Sequence, residues 1–276
     1  MKRFVALIAA VLALSLLAGC GAKPAADAPK VAAAPAAKPI TLKVGVTAGP
    51  HEQIIKDVAA RLAKENITLD IKVFTDYKIP NQALQNKELD VNIFQHQPYL
   101  DKENKERGFT LVTVAKAVTF PMGVYSKKVK KLNELKEGAR VAIPNDATNG
   151  GRALLLFQAA GLIKLKPEAG ITAGAKDIVE NPKKLKFEEL DAAMLPRVLP
   201  DVDAAAINTN YALDAGLSPI KDAIYLEQNS PYVNVIAVRP EDKERPEIQK
   251  LIKAYQSPET KQFIDTTFQG AVVVGW

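Results

Sequence analysis

Asp90-Val91-Asn92-Ile93-Phe94-Gln95-His96-Gln97-Pro98-Tyr99-Leu100 is the stretch on which the fold turns. Residues 90–94 read as a short strand, and residues 99–107 as a polar helix that stops near Gly108. The same step from strand to helix recurs on either side. Upstream, residues 40–46 alternate as a strand, and Ile54, Ile55, Val58, Ala59 and Leu62 follow at helical spacing. Residues 69–74 form a second strand, with Leu69, Ile71 and Val73 on one face, and Pro80 opens a short helix through Lys87. Downstream, residues 111–126 read as one or two longer strands around Pro121. A second unit predicts strands at 139–143, 204–207, 223–226 and 233–238. Its helices are expected at 150–162, over most of 187–199, from 211, and at 247–255 and 258–268. Such alternation predicts an α/β architecture with mainly parallel sheets. A chain of 276 residues has room for two domains of roughly 100–150 residues each.

In open α/β sheets ligands bind beyond the carboxyl ends of the strands. Those positions carry Thr75-Asp76-Tyr77, then Gln95-His96-Gln97-Pro98-Tyr99, then residues 144–152 with Asn149 and Arg152, then Asn208-Thr209-Asn210-Tyr211. Each has a plainer reading. Phe94 reads equally as a core residue, and His96 as a satisfied histidine. Asn149-Gly150 is by itself a turn signal, and Asn149 or Thr148 suits a helix N-cap. Arg152 in a first helical turn opposes the helix dipole, which points weakly to an anionic partner. Together the set fits a zwitterionic amino acid with an apolar side chain. Arg152 can grip a carboxylate with two parallel hydrogen bonds, aided by the helix N-terminus. Asparagine carbonyls can accept from an ammonium. The rings of Tyr77, Phe94, Tyr99 and His96 can enclose a polarizable group such as a thioether.

Composition narrows the field. Lys and Arg number 37 against 31 Asp and Glu, a net charge of +6, and loss of Lys2 and Arg3 with a leader leaves about +4. The excess is small and unclustered, so nucleic acid is not an expected partner. The single cysteine excludes an internal disulfide framework, and two histidines supply too few ligands for a Cys/His zinc site. No Gly-x-Ser-x-Gly, phosphate-loop or dinucleotide-binding glycine motif is present. Glu188-Glu189 reads as a solvated face. No catalytic residue, metal or cofactor is therefore expected, and the chain is not expected to be an enzyme.

The N-terminal forty residues read separately. Lys2 and Arg3 precede a run, residues 4–17, that is apolar except for Ser15. It falls short of the about 20 residues a membrane-spanning helix needs and fits a signal-peptide core. Leu17-Ala18-Gly19-Cys20 follows and resembles the lipobox of bacterial lipoproteins, in which the cysteine is lipidated and becomes the first mature residue. Several acyl chains on Cys20 would suffice for stable membrane attachment. Residues 21–39, rich in Ala and Pro, read as a tether reaching roughly 60 Å if extended.

With these residues in view, the chain resembles the methionine-binding lipoproteins of the MetQ/NlpA type, the substrate-binding components of methionine ABC transporters. The likeness rests on the lipobox, on Thr75-Asp76-Tyr77 with Pro80-Asn81, and on the stretch 90–100. It continues through Ile143-Pro144-Asn145-Asp146-Ala147-Thr148-Asn149-Gly150-Gly151-Arg152, Ala206-Ile207-Asn208-Thr209-Asn210-Tyr211-Ala212, Pro231-Tyr232-Val233-Asn234-Val235 and Gly275-Trp276. Ala147 stands where the family motif often has Pro. The resemblance implies a two-lobed type II periplasmic-binding-protein fold that closes on its ligand by a hinge. It implies Tyr77, Phe94, His96 and Tyr99 around the ligand side chain, Arg152 on the carboxylate, and Asn208 and Asn234 on the backbone groups. Asn208 is preferred to Asn210, and Asn149 is a contact of second rank. The expected organisation is a signal peptide at 1–19, lipidated Cys20 and tether at 20–39, a first lobe at 40–119, a second lobe at 120–235 and a return to the first lobe at 236–276. The expected function is capture of L-methionine at the bacterial cell envelope, on its periplasmic or extracellular face. Delivery is to an ABC transporter permease and its ATPase. D-methionine, a methionine derivative, a methionyl peptide, or a surface-interaction role without transport are the alternatives.

Overall fold

The computed structural model describes residues 39–276. The expected leader, the lipidation site Cys20 and the tether up to residue 38 lie outside the described residues. Among the described residues, no helix is long and apolar enough to cross a membrane.

The chain first runs through β1 (Ile40–Thr47), α1 (Pro50–Leu62), β2 (Ile67–Phe74), α2 (Ile79–Gln85), β3 (Val91–Ile93), α3 (Gln97–Arg107) and β4 (Val112–Thr119). It crosses into a second sheet with β5 (Gly123–Tyr125), β6 (Arg140–Pro144), α4 (Ala147–Ala159), β7 (Lys164–Leu165), β8 (Ile178–Glu180) and β9 (Lys186–Leu190). There follow α5 (Leu195–Val198), β10 (Ala204–Ile207), α6 (Thr209–Asp214) and β11 (Tyr225–Leu226). It then returns with β12 (Val233–Val238), α7 (Pro246–Tyr255), α8 (Pro258–Phe268) and β13 (Val273–Val274). The first sheet has the order β13-β4-β12-β3-β1-β2, the second β11-β5-β10-β6-β9, and β7 pairs with β8 apart from both. β12 begins ahead of the expected return at residue 236, because Val233 already pairs with Thr119.

Each sheet is mixed rather than mainly parallel. Strands β1, β2 and β3 run parallel, as do β6, β9 and β10, whereas β4, β5, β11, β12 and β13 join antiparallel. The reason lies in the crossings. β4 leads to β5, and β11 to β12, with no helix between, so β5 and β12 enter their sheets without the crossover that parallel pairing requires and run against their neighbours.

The first core forms where Leu42, Val44 and Val46 of β1 meet Ile54, Ile55, Val58 and Leu62 of α1 and Ile248, Leu251 and Tyr255 of α7. Each buried aliphatic side chain there stabilises the fold by about 1.5–3 kcal/mol. The second sheet is covered on both faces, and the alternation shows which residue goes where. Val124, Val141, Ile143, Ala204 and Ala206 pack on α4 through Leu154 and Phe157. Tyr125, Ala142, Ala205 and Ile207 face Leu195, Leu199 and Tyr211.

Two local expectations are corrected. Residues 187–190, expected to begin a helix, belong instead to β9 at the edge of the second sheet, paired in parallel with β6. Glu188 faces out and takes the guanidinium of Arg140 at 2.6 Å, so helix-forming residue types serve here as the charged side of an edge strand. Helix α4 begins at Ala147, not Gly150, and its N-cap is Asp146, whose carboxylate accepts from the Asn149 amide at 2.9 Å. Asn149-Gly150 is thus inside the helix and not a turn. Gly151 is needed for close approach, since a Cβ there would lie 1.9 Å from the Ile171 carbonyl oxygen.

Candidate ligand-binding site

The carboxyl ends of the parallel strands in both sheets converge on one cleft. His51 follows β1, Tyr77 follows β2, and Phe94 to Tyr99 follow β3. From the second sheet come Asn149 and Arg152 after β6, and Asn208 and Asn210 after β10. These strand ends line a single pocket between the two sheets. All the residues expected at the site line it: Tyr77, Phe94, His96, Tyr99, Arg152, Asn208 and Asn234. Gln95, Phe120, Asn149 and Asn210 join them.

One wall is aromatic. Phe94 stands 6.0 Å from Tyr77 and 6.1 Å from Tyr99, ring centre to ring centre, the latter edge-on. With 3% of its surface exposed, Phe94 is a core residue and a lining residue at once. The Tyr99 hydroxyl donates to the Tyr77 carbonyl at 3.0 Å. His96 is the N-cap of α3, its Nδ1 accepting from the Tyr99 amide at 3.2 Å. That places its proton on Nε2, which donates to Asn149 Oδ1 at 3.3 Å. Burial, reinforced by the Arg152 charge, pushes the His96 pKa down to about 3, so the ring is neutral. Tyr77 reaches across the cleft and donates to Asn210 Oδ1 at 2.6 Å. Burial lifts its hydroxyl well above the ordinary tyrosine range, which keeps the proton in place.

The other wall is polar, and Arg152 differs from expectation. It lies in the second turn of α4, so the dipole mismatch argument does not apply to it. Its guanidinium is already engaged. Nε donates to Glu227 Oε1 at 3.0 Å and Nη2 to Glu227 Oε2, to the Phe120 carbonyl at 2.7 Å and to Ser230 Oγ at 3.2 Å. The Tyr232 ring lies 4.4 Å from the guanidinium carbon. The two-bond grip expected on a ligand is therefore spent on Glu227, and only Nη1 takes no acceptor among the described residues. Glu227, Ser230 and Phe120 belong to the two segments that cross between the sheets, so Arg152 binds both crossings. No local pattern marks Glu227, since it is 75 residues from Arg152.

The amides complete the wall. Asn208 Nδ2 donates to Asn149 Oδ1 at 2.9 Å, and Asn208 Oδ1 is buried with no donor among the described residues. Asn210 accepts from Tyr77, and its Nδ2 is buried with no acceptor. Both asparagines therefore face the cleft, whereas sequence reasoning preferred Asn208. Asn234 Nδ2 bonds His51 Nε2 at 2.8 Å, and His51 Nδ1 bonds Thr47 Oγ1 at 2.8 Å. Burial pushes the His51 pKa down to about 3, so Nε2 accepts and Nδ1 carries the proton, and Asn234 itself lines the cleft. His51 holds Asn234 from behind without itself lining the cleft, a role the sequence does not suggest. Its position just beyond β1 is the one signal that could have marked it. Buried polar atoms without partners are rare and call for a reason. Of the nine found among the described residues, Asn208 Oδ1 and Asn210 Nδ2, an acceptor and a donor, belong to residues that line the cleft.

Two sheets, twice-crossed by the chain and facing each other across strand ends, define a two-lobed α/β binding protein. The chain belongs to the NlpA lipoprotein family, whose profile matches residues 42–276. It is 46% identical over 272 residues to the probable D-methionine-binding lipoprotein MetQ of Vibrio cholerae, covering 98% of this chain and 96% of that one. It is 48% identical over 243 residues to the D-methionine-binding lipoprotein MetQ of Salmonella typhimurium, covering 86% and 89%. Among solved structures, a nutrient binding protein from Burkholderia cenocepacia bound to methionine is 53% identical. It superposes with a TM-score of 0.83 over 85% of this chain and all (100%) of that one.

Proposed function

We propose that the chain is a lipid-anchored solute-binding protein that captures methionine in this cleft and delivers it to an ABC importer. The observation that carries the reading is the pair of orphaned polar atoms beside Arg152, facing an aromatic wall. Asn208 Oδ1 and Asn234 Oδ1 accept from the ligand ammonium. Arg152 Nη1 and Asn210 Nδ2 donate to its carboxylate. Tyr77, Phe94, Tyr99 and Phe120 enclose the thioether, where sulfur–ring contacts each contribute about 0.3–1.5 kcal/mol. The names of the relatives and the methionine-bound neighbour support the same ligand. The role is binding and not catalysis. The ligand bridges both lobes, so it stabilises the closed arrangement and marks the loaded protein for its transporter. Cys20 holds the protein to the cell envelope.

The first reading is L-methionine. The names of the Vibrio cholerae and Salmonella typhimurium relatives favour D-methionine as a second reading. Native mass spectrometry of the chain purified without added ligand is expected to show bound methionine. Titration of the emptied protein with each enantiomer ranks the two readings. An empty cleft and no thermal shift with either enantiomer would overturn the assignment.

A further inference from the structure

We infer that Asp146 is a positioning residue that sets which atom of Asn208 faces the ligand, and so tunes the cleft for an ammonium group. The inference rests on the proposed function and deepens it.

An asparagine amide presents a carbonyl on one side and an NH₂ on the other, and the shape of the group is nearly the same either way round. A cleft that must accept from an ammonium therefore needs something to fix the amide's orientation. An ionised carboxylate does so without ambiguity, because it only accepts. Asn149 Nδ2 lies 3.0 Å from each Asp146 oxygen. Asn149 must turn its NH₂ to Asp146, and its Oδ1 then faces the other way. That oxygen takes Asn208 Nδ2 at 2.9 Å. Asn208 must in turn present Oδ1, and this is the atom found buried with no donor at the cleft. His96 Nε2, donating to the same Asn149 oxygen at 3.3 Å, acts in the same sense. Polarity thus passes from Asp146 through Asn149 to Asn208.

Asp146 also caps α4 through the Asn149 backbone amide. Capping alone needs no carboxylate, because asparagine caps about as well as aspartate. Asp146→Asn keeps the cap and the size while adding an NH₂ that lets Asn149 reverse. The test measures the affinity of wild type and Asp146→Asn for two compounds. They are methionine and its desamino form, which has hydrogen in place of the amino group.

The expected result is a loss of about tenfold for methionine, the scale of one charge-assisted hydrogen bond weakened, with desamino affinity held within about twofold. Melting temperature should stay near that of wild type. An equal loss for both compounds, or no loss for either, would overturn the relay. A second measurement separates it from the plain loss of a negative charge. In the Asn149→Leu background the relay is cut, so Asp146→Asn should cost nothing more. A further tenfold loss there would mean that the charge acts through space, and the relay would be wrong. A wild-type chain that binds neither compound would overturn the methionine reading itself. Tight binding of methionine by both wild type and Asp146→Asn would overturn the relay alone.

Discussion

The two walls of the cleft are built on different terms. The first-lobe wall is mostly rings, drawn from Phe94, His96 and Tyr99 within six residues of one strand end, with Tyr77 alongside. Part of it is held locally, as when His96 caps the helix that carries Tyr99, while Tyr77 and His96 also reach across to Asn210 and Asn149. The second-lobe wall is amides and a guanidinium gathered from α4, β10 and the crossing segments. Apart from Asn149, held by Asp146, its polar atoms depend on distant partners, and some have none among the described residues. The difference teaches that the apolar wall can supply contact area while the polar wall sets orientation, and that the guanidinium of the polar wall is bonded to both crossing segments.

The largest expected effect tests that tie. The Arg152 and Glu227 side chains are 4% and 11% exposed. Removing one partner of a buried ion pair leaves the other charge uncompensated, at a cost of about 3–5 kcal/mol. Arg152→Ala is therefore expected to destabilise the ligand-free protein by that amount in urea unfolding, beyond its loss of methionine affinity. Arg152→Ala combined with Glu227→Gln should recover part of the stability but not the affinity. A single variant as stable as wild type would break the contrast, since the polar wall would then be as self-sufficient as the aromatic one.

The next effect sharpens the contrast by pH. His51 stands behind the polar group Asn234, and His96 on the aromatic wall, and burial holds both near a pKa of about 3. An unfolded histidine titrates near about 6.5. Below that pH the unfolded chain takes up protons that the folded chain refuses, so their neutral burial costs nothing above about 6.5 and stability falls as pH drops toward about 3. At pH 5 each histidine should remove about 2 kcal/mol relative to pH 7. His51→Gln should flatten its share of the slope in melting curves taken between those two conditions. Equal slopes in wild type and His51→Gln would show that His51 is not buried neutral.

Legibility in the sequence follows the same division. Strand ends holding Phe94, His96 and Tyr99 stood out because their chemistry is contiguous. Asn208 and Arg152 could be picked out as polar residues at strand ends, but their partners could not. Glu227, Ser230 and Phe120 reach Arg152 only because the chain crosses twice between the sheets, and no periodicity records that. His51 was passed over because one histidine in an amphipathic helix start carries no local sign of a distant asparagine. The α/β class was readable from alternation, and the two-lobed type II arrangement from the family resemblance. Sheet direction was not, because alternation does not distinguish a helical crossover from the direct passages at β4–β5 and β11–β12. β9 was misread because Lys186-Phe187-Glu188-Glu189-Leu190 suits a helix until Arg140 and β6 hold it in a sheet.

The smallest effect concerns the rim of the cleft, where the lobes touch through charges instead of buried groups. Lys78, ahead of α2, lies 2.7 Å from Asp191, just after β9, with side chains 61% and 32% exposed. Exposed pairs of this kind contribute about 0–1 kcal/mol and are screened by salt. The Tyr77–Asn210 bond, deeper in the cleft, has no such exposure to water. Lys78→Ala should therefore lower methionine affinity by no more than about fivefold at low salt, and the difference from wild type should vanish near 1 M salt, where the screening length is about 3 Å. Titrations at the two ionic strengths measure this directly. A larger loss that persists in high salt would mean that closure is held at the rim, and the division of labour between the two walls would have to include a third region.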